Sequence, residues 1–319
     1  MTSQPGRLTT ARFIGSHQLD VEPWARIQPF ESPALMKITF LGTAAANAFP
    51  EAFCKCRNCA QARVLGGPSL RKRSAALINE DLLIDLGPDV MAASQLHGCP
   101  LDHVRYCLQT HPHADHLDLS HLLSRSPGFG VAGAPVLDFY ASRETMRRAA
   151  ETFVRDLADY SLLAPQAERE LNIKLHQVSP LECFSVGPYS VMAFPANHAP
   201  GMGAMLYSVS ANGRSVFYGT DTGTLLEETW QAFRNQQMQF DLVILDHTYG
   251  KDQVGSDHLS ANEVVEHARR LRADGALKPN GRVFATHIAH EGNPPHPELA
   301  AFAKQHGYEV AHDGLSLSI

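Results

Sequence analysis

The sequence predicts an α/β fold, and three observations carry that prediction. Short apolar or β-branched runs recur along most of the chain and fall into two clusters, each interleaved with segments of helical spacing. Several of these runs stop at a polar residue on a loop instead of running on. Hydrophobic residues make up 44% of the 319 residues, enough to fill a core, in a chain that is long for one domain but not prohibitively so.

Residues 1–35 lack strong periodicity and read as an N-terminal extension, either wrapping the domain, mediating a contact, or forming a tail. The main domain is expected over 36–319. Met36–Gly42 is its first core strand, and residues 73–86 form a hairpin turning at Asn79-Glu80-Asp81. Val104–Gln109 reads as a strand that Pro112 cuts off. Leu117–Leu123 has helix-like apolar spacing, and residues 141–170 are helix-rich. Strands resume near 172–178, 182–194, 203–219 and 241–246. Ser260-Ala261-Asn262-Glu263 is a capping box opening a helix to about Ala273. There is no repeat at a fixed period.

The densest chemistry lies in Thr110-His111-Pro112-His113-Ala114-Asp115-His116, where three imidazoles and a carboxylate fall within six residues. Such crowding is hard to hold together without a cation to offset it. The donors suit a pair of divalent ions, zinc, manganese or iron, which make water a nucleophile at neutral pH. A loop between a strand and a helix can turn several side chains toward one point.

This H-x-H-x-D-H string resembles the signature of the metallo-β-lactamase superfamily. Further pieces follow in the family's order: His198 after Met192–Asn197, Asp221 after Ser215–Thr220, His287 after Arg282–Thr286, and the upstream Asp85-Leu86-Gly87. The match covers about residues 36–319. It implies an αββα four-layer sandwich of two sheets between helices. It also implies that His111, His113 and His198 hold one metal, that Asp115, His116 and His287 hold the other, and that Asp221 bridges them. Asp85 would orient a ligand histidine through its free ring nitrogen. Its alternative role is a turn or helix-capping carboxylate before Gly87-Pro88.

Cys54-Lys55-Cys56-Arg57-Asn58-Cys59 supplies three thiols, three corners of a tetrahedron that needs a distant Cys or His to close it. With His290 three residues past His287, the pattern resembles the cyclic-phosphate phosphodiesterases of the carbon–phosphorus lyase pathway. That resemblance implies a structural zinc on Cys54, Cys56, Cys59 and His290. The pyrroloquinoline quinone biosynthesis B proteins carry a related cysteine motif but generally lack the intact histidine string, which argues against them. Cys107, in an apolar strand, reads as a core residue. No export signal or membrane-length apolar run is evident, so a reducing cytoplasm is expected.

The reaction follows from what surrounds the metals. His258, in Gly255-Ser256-Asp257-His258-Leu259-Ser260, stands on a loop before a helix start, a context similar to the general-acid histidine of the superfamily's phosphodiesterases and tRNA 3′-processing nucleases. His258 and Asp115 are the candidate catalytic residues. His247 is a weaker candidate, better read as a buried hydrogen-bonded side chain, and His121, His176, His267, His296, His306 and His312 read as solvated or structural. The 27 Lys and Arg against 33 Asp and Glu give a net charge of −6, which does not favour a long polyanion. Arg71-Lys72-Arg73-Ser74 reads as a solvated bend. The expected function is hydrolysis of a small cyclic or nucleotide-like phosphodiester, with no nucleic acid or membrane partner and a homodimer as the assembly to test. A tRNA 3′-processing endonuclease and a lactone or thioester hydrolase are the alternatives, ahead of a non-enzymatic accessory binding protein.

Overall fold

The computed structural model describes residues 35–251 and 253–319, so the expected extension over 1–35 lies, but for Leu35, outside the described residues. Two mixed sheets face each other. The first runs, edge to edge, through Ser316–Ser318 (β14), Lys37–Gly42 (β1), Ala75–Ile78 (β2), Leu82–Ile84 (β3), Tyr106–Leu108 (β4), Leu137–Ser142 (β5) and Ile173–Val178 (β6). The second runs through Glu309–Val310 (β13), Leu277–Thr286 (β12), Phe240–Asp246 (β11), Arg214–Gly219 (β10), Met205–Ala211 (β9), Tyr189–Pro195 (β8) and Cys183–Val186 (β7). The described helices are Arg57–Leu65 (α1), Val90–His97 (α2), Ser120–Ser124 (α3), Arg143–Asp156 (α4), Pro165–Leu171 (α5), Glu227–Asn235 (α6), Ala261–Ala273 (α7) and His296–Gln305 (α8).

Strand composition explains the layering. In β11, Leu242 and Ile244 point between the sheets, where they meet Phe40, Tyr207 and Phe284. Phe240, Val243 and Leu245 point the other way, onto Trp230 and Phe233 of α6 and Leu271 of α7. A strand covered on both faces reads as a continuous apolar run, as Leu242-Val243-Ile244-Leu245 does. A third apolar cluster packs Leu83, Cys107 and Phe139 against Ala93 of α2 and Met146 and Phe153 of α4. Three apolar layers alternating with four layers of secondary structure make the αββα sandwich that the resemblance implied. No described helix is long and apolar enough to cross a membrane.

Strand direction decides where the loops meet. β3 and β4 pair parallel, and β10, β11 and β12 pair parallel. β8 and β10 each pair antiparallel with β9 and so share a direction. The segments following these strands carry Asp85, His111, His198, Asp221 and His287, which gather at one edge of the sandwich.

The elements match the expected order, with two corrections. The helix expected over Leu117–Leu123 covers only Ser120–Ser124, because Asp118 N–H donates to Leu86 O (2.8 Å) and holds the preceding turn against the Asp85 loop. Arg71 is not part of a solvated bend. It is buried, with its guanidinium donating to Thr43 Oγ1 (2.8 Å) and to Ala311 O and facing His296 Nδ1 (2.8 Å). Burial pulls its pKa down to about 10, against the pull of Asp313. Lys72 and Arg73 are partly buried, near Asp313 and Asp89. A basic run cannot announce which member folds inward; here the buried carbonyl and hydroxyl acceptors did.

Candidate active site

His111, His113, Asp115 and His116 stand on the loop between β4 and α3, and that loop is tied down from behind. Gln109, which follows β4, donates from Nε2 to the carbonyls of His111 (3.0 Å) and His116 (2.9 Å) and to Asp85 Oδ1 (2.9 Å). Gly87 lets the loop approach, because a Cβ there would lie 2.7 Å from Asp115 O. Asp85 is fully buried. It accepts from Thr110 N–H (2.8 Å) and Oγ1–H, and its Oδ2 sits 2.7 Å from His116 Nδ1. Its carboxylate therefore faces the side of His116 away from the other donors, and it caps no helix. Asp85, Asp221 and His287 all adopt positive φ (66°, 62° and 56°), which reverses the chain sharply where each strand ends.

Two sets of donor atoms share Asp221. One groups His111, His113, His198 and Asp221, the other Asp115, His116, Asp221 and His287, each with all its donor atoms within 4.8 Å of one another. His111 Nε2 is 2.8 Å from His113 Nδ1, and His198 Nε2 is 3.3 Å from His113 Nδ1. His116 Nε2 is 3.3 Å from His287 Nε2 and 3.2 Å from Asp115 Oδ2. Asp221 Oδ2 is 3.1 Å from His111 Nε2 and 3.0 Å from His116 Nε2.

Chemically, these groups fit a pair of divalent ions. Ligand nitrogens about 2.0–2.1 Å from a tetrahedral metal lie roughly 3.3 Å apart, close to most of the spacings here. Ring nitrogens aimed at one another give neighbouring lone pairs, which a cation relieves. Asp221 Oδ1 is buried without a well-formed hydrogen bond, although His258 Nδ1 lies 3.1 Å away. Burial and the nearby His116 bring the His111 pKa down to about 4, outweighing Asp221, so this ring keeps a lone pair free. Burial opposes charge on His116 too, but Asp85, Asp115 and Asp221 raise its pKa well above the usual value. Without metal, a proton there offsets the carboxylates, and a divalent ion takes its place when bound.

His258 lies beside the shared carboxylate. Its Nδ1 is 3.1 Å from Asp221 Oδ1, 3.1 Å from Asp246 Oδ2 and 3.2 Å from Thr248 Oγ1, and its ring stacks on His287 with centroids 5.5 Å apart. Burial lowers its pKa, but Asp221 and Asp246 outweigh this and push it up to about 10. Thr248 Oγ1 also lies 2.7 Å from His287 Nδ1. Asp246, Thr248 and Gln109 are positioning residues that the sequence reading passed over. For Asp246 the signal was present: an apolar strand ending in Asp, as β3 does before Asp85. His247, by contrast, points away, its nitrogens 2.9 Å from Asn293 Oδ1 and 2.8 Å from Tyr308 Oη. His121 is buried with Nε2 3.1 Å from Gly87 O.

A cavity of about 470 Å³ opens onto this cluster, lined by Asn47, His113, Asp115, His198, Asp221, Tyr249, His258 and His287, with Asp257 and Glu291 also in its wall.

The cysteines form a separate donor set. Cys54, Cys56, Cys59 and His290 come within 4.8 Å of one another. His290 Nδ1 is 3.7 Å from Cys54 Sγ and 3.6 Å from Cys56 Sγ, near the roughly 3.6 Å that tetrahedral zinc sets between sulfur and nitrogen. Burial raises the Cys56 thiol, but a backbone N–H from Cys59 and contacts with His290 and Cys54 bring it down to about 7. Burial holds Cys59 up at about 12. A cation would deprotonate both. The set joins the loop after β1 to the loop carrying His287, which also meet through Ile288 N–H donating to Thr43 O (2.9 Å).

The chain's relatives share this fold. Residues 80–288 match the family model of the beta-lactamase superfamily domain. The coenzyme PQQ synthesis protein B of Cupriavidus necator is 25% identical over 345 residues, covering 89% of this chain and all of that protein. The crystal structure of a diphosphatase from the PhnP family superposes with a TM-score of 0.67 at 23% identity, covering 89% of this chain and 98% of that one. Zinc-bound PqqB from Methylobacterium extorquens superposes with a TM-score of 0.66 at 20% identity, covering 89% and 100%. With donor clusters at the strand ends and a family match over residues 80–288, the chain belongs to the beta-lactamase superfamily and is a metal-binding hydrolase of the metallo-β-lactamase fold.

Proposed function

We propose that this hydrolase cleaves small phosphodiesters, cyclic or nucleotide-like, at the two-metal centre. His111, His113 and His198 would hold one ion, Asp115, His116 and His287 would hold the other, and Asp221 belongs to both donor sets. Zinc, manganese or iron suits these nitrogen and oxygen donors. When bound, the ions supply Lewis acidity and lower the pKa of water. Asp85 and Thr248 fix the rings of His116 and His287 through their far nitrogens, and Gln109 holds the loop in place.

The observation that carries the phosphodiester reading is His258. Its Nδ1 is engaged by Asp246 and Thr248, which leaves Nε2 free to carry a proton on a side chain that lines the cavity. An alkoxide leaving group needs that proton, and a positioned histidine contributes ~10²–10⁴-fold to such a step. A lactone or β-lactam opens with less need of it. The similarity to a PhnP-family diphosphatase supports phosphorus as the centre attacked. Cys54, Cys56, Cys59 and His290 are assigned a structural zinc.

The similarity to coenzyme PQQ synthesis protein B favours a second reading, a role in cofactor biosynthesis on a related scaffold. Assay of the zinc- or manganese-loaded protein on bis-p-nitrophenyl phosphate, a small cyclic phosphodiester and precursor tRNA separates the readings. Turnover of the first two but not the RNA is expected. Lactone hydrolysis with no phosphodiester turnover overturns the proposal.

A further inference from the structure

A ligand imidazole is oriented through its far nitrogen, and His198 receives that support differently from His116 and His287. Asp85 meets His116 through a buried carboxylate, and Thr248 meets His287 through a buried hydroxyl. His198 Nδ1 instead lies 3.2 Å from the main-chain carbonyl of Asp257, nearer than to Asp221 Oδ1 at 3.4 Å. A carbonyl orients a ring only as well as its own backbone is fixed. Residues 253–257 are exposed, so little apolar burial fixes this one.

Tyr249 supplies what burial does not. The neck of its loop is closed by the main chain, with Tyr249 N–H donating to Leu259 O (3.1 Å) and Ala261 N–H donating to Gly250 O (2.7 Å). Its side chain reaches across the loop, where the hydroxyl donates to Asp257 Oδ1. The loop wraps closely around the ring. A Cβ on Gly255 would lie 2.3 Å from Tyr249 Cε2, and the ring meets His258 edge-on with centroids 5.5 Å apart. From the other side, Asn197 Nδ2 donates to Ser256 O (3.1 Å), and a Cβ on Gly223 would lie 2.1 Å from that same oxygen. Asp257 is thus pinned by its side chain, with its carbonyl on a ligand histidine and the candidate general acid one residue further on.

We infer that Tyr249 is a positioning residue: its hydroxyl, through the Asp257 carboxylate, holds the loop that orients both His198 and His258. This inference rests on the two-metal phosphodiesterase reading. One hydroxyl then serves two functions. It steadies the grip on the ion that His111, His113 and His198 would hold, and it aims the proton that the leaving group needs. The other ion is spared in this account, because Asp85 and Thr248, which support His116 and His287, stand outside the 250–258 segment.

The test separates the hydroxyl from the ring. Tyr249→Phe keeps the packing against Gly255 and His258 and removes only the hydrogen bond. In chelator competition with zinc-loaded protein, this variant should bind one zinc of the histidine centre about tenfold more weakly, the one that a His198→Ala variant loses, and the other as before. Its kcat on a ribosyl phosphodiester should fall about fivefold more than its kcat on a p-nitrophenyl ester, the scale of one hydrogen bond. Asp257→Asn keeps an oxygen that accepts from Tyr249 and should stay near wild type, whereas Asp257→Ala should match Tyr249→Phe. The double variant Tyr249→Phe/Asp257→Ala should lose little more than either single one. An unchanged zinc affinity or leaving-group ratio in Tyr249→Phe, equal weakening of both zincs, or additive losses in the double variant overturns the inference. If no phosphodiester is hydrolysed, the functional reading fails by itself. Selective weakening of the His198 zinc in Tyr249→Phe and Asp257→Ala, but not in Asp257→Asn, then still supports the positioning role, and equal affinity in all of them removes it.

Discussion

His258 Nδ1 lies 3.1 Å from Asp246 Oδ2, and these two residues bracket the loop that follows β11. The same carboxylate accepts from Thr248 N–H (2.9 Å) at one end of that loop and from Leu259 N–H (3.1 Å) at the other. Asp246 thus folds the loop back on its own strand and aims His258 at the cavity. Both His258→Ala and Asp246→Ala should slow diesters with alkyl or ribosyl leaving groups strongly, by ~10²–10⁴-fold for His258→Ala. Both should affect p-nitrophenyl esters much less, because p-nitrophenolate departs without a proton. The double variant should lose little more than His258→Ala alone, since the two side chains act as one unit. Equal losses on both ester classes would assign His258 to binding or metal positioning instead.

Asp221 Oδ2 stands about equally far from His111 Nε2 and His116 Nε2, so its removal should disturb both donor sets. Asp221→Ala should lose at least one metal equivalent and most of the activity. Asp85→Asn, which alters the support behind His116 and the acceptor for Thr110 and Gln109 that steadies the ligand loop, should weaken metal affinity by about 10–100-fold. Metal analysis of dialysed protein checks both. Full activity in protein stripped of metal would overturn the two-metal assignment.

The cysteine set should behave as a fastener. A Cys56→Ser variant should lose one metal equivalent beyond the two at the histidines, and its melting temperature should fall before its activity does. The expected order comes from the way these ligands join the loop after β1 to the loop of His287. Retention of every metal and an unchanged melting temperature would remove the structural zinc.

Asp89 provides a pH test at a residue outside the donor sets. Burial raises its pKa, but the hydrogen bonds from Arg73 (2.8 Å and 2.8 Å) outweigh it and leave the pKa below the ordinary value. The folded pKa is the lower one, so this contribution is complete above the unfolded value of roughly 3.9 and disappears as pH falls through the folded one. Asp89→Asn should cost about 1 kcal/mol or less at neutral pH, because both side chains are partly exposed. Urea unfolding should show that cost shrinking as the pH drops below roughly 4. A difference independent of pH would mean the asparagine acts through packing instead.

The sequence alone determined the order and type of most elements. It also supplied the candidate ligands, because these are local properties. The apolar run of β11, the hairpin turn at Asn79 and the Ser260–Glu263 capping box each depend on neighbours a few residues apart. The histidine string is legible for the same reason, since four donors share one loop, and the later donors each follow an apolar strand. Only the tertiary structure decided which side chains face one another across distant segments. Asp246 gained its position because His258, twelve residues further along the chain, folds back on the end of β11. Arg71 went inside because Thr43, Ala311 and His296, hundreds of residues away along the chain in two cases, leave acceptors buried there. Strand and cap signals are written in neighbouring residues, whereas the burial of a charge and the facing of two carboxylates depend on how two sheets and their loops close over one edge.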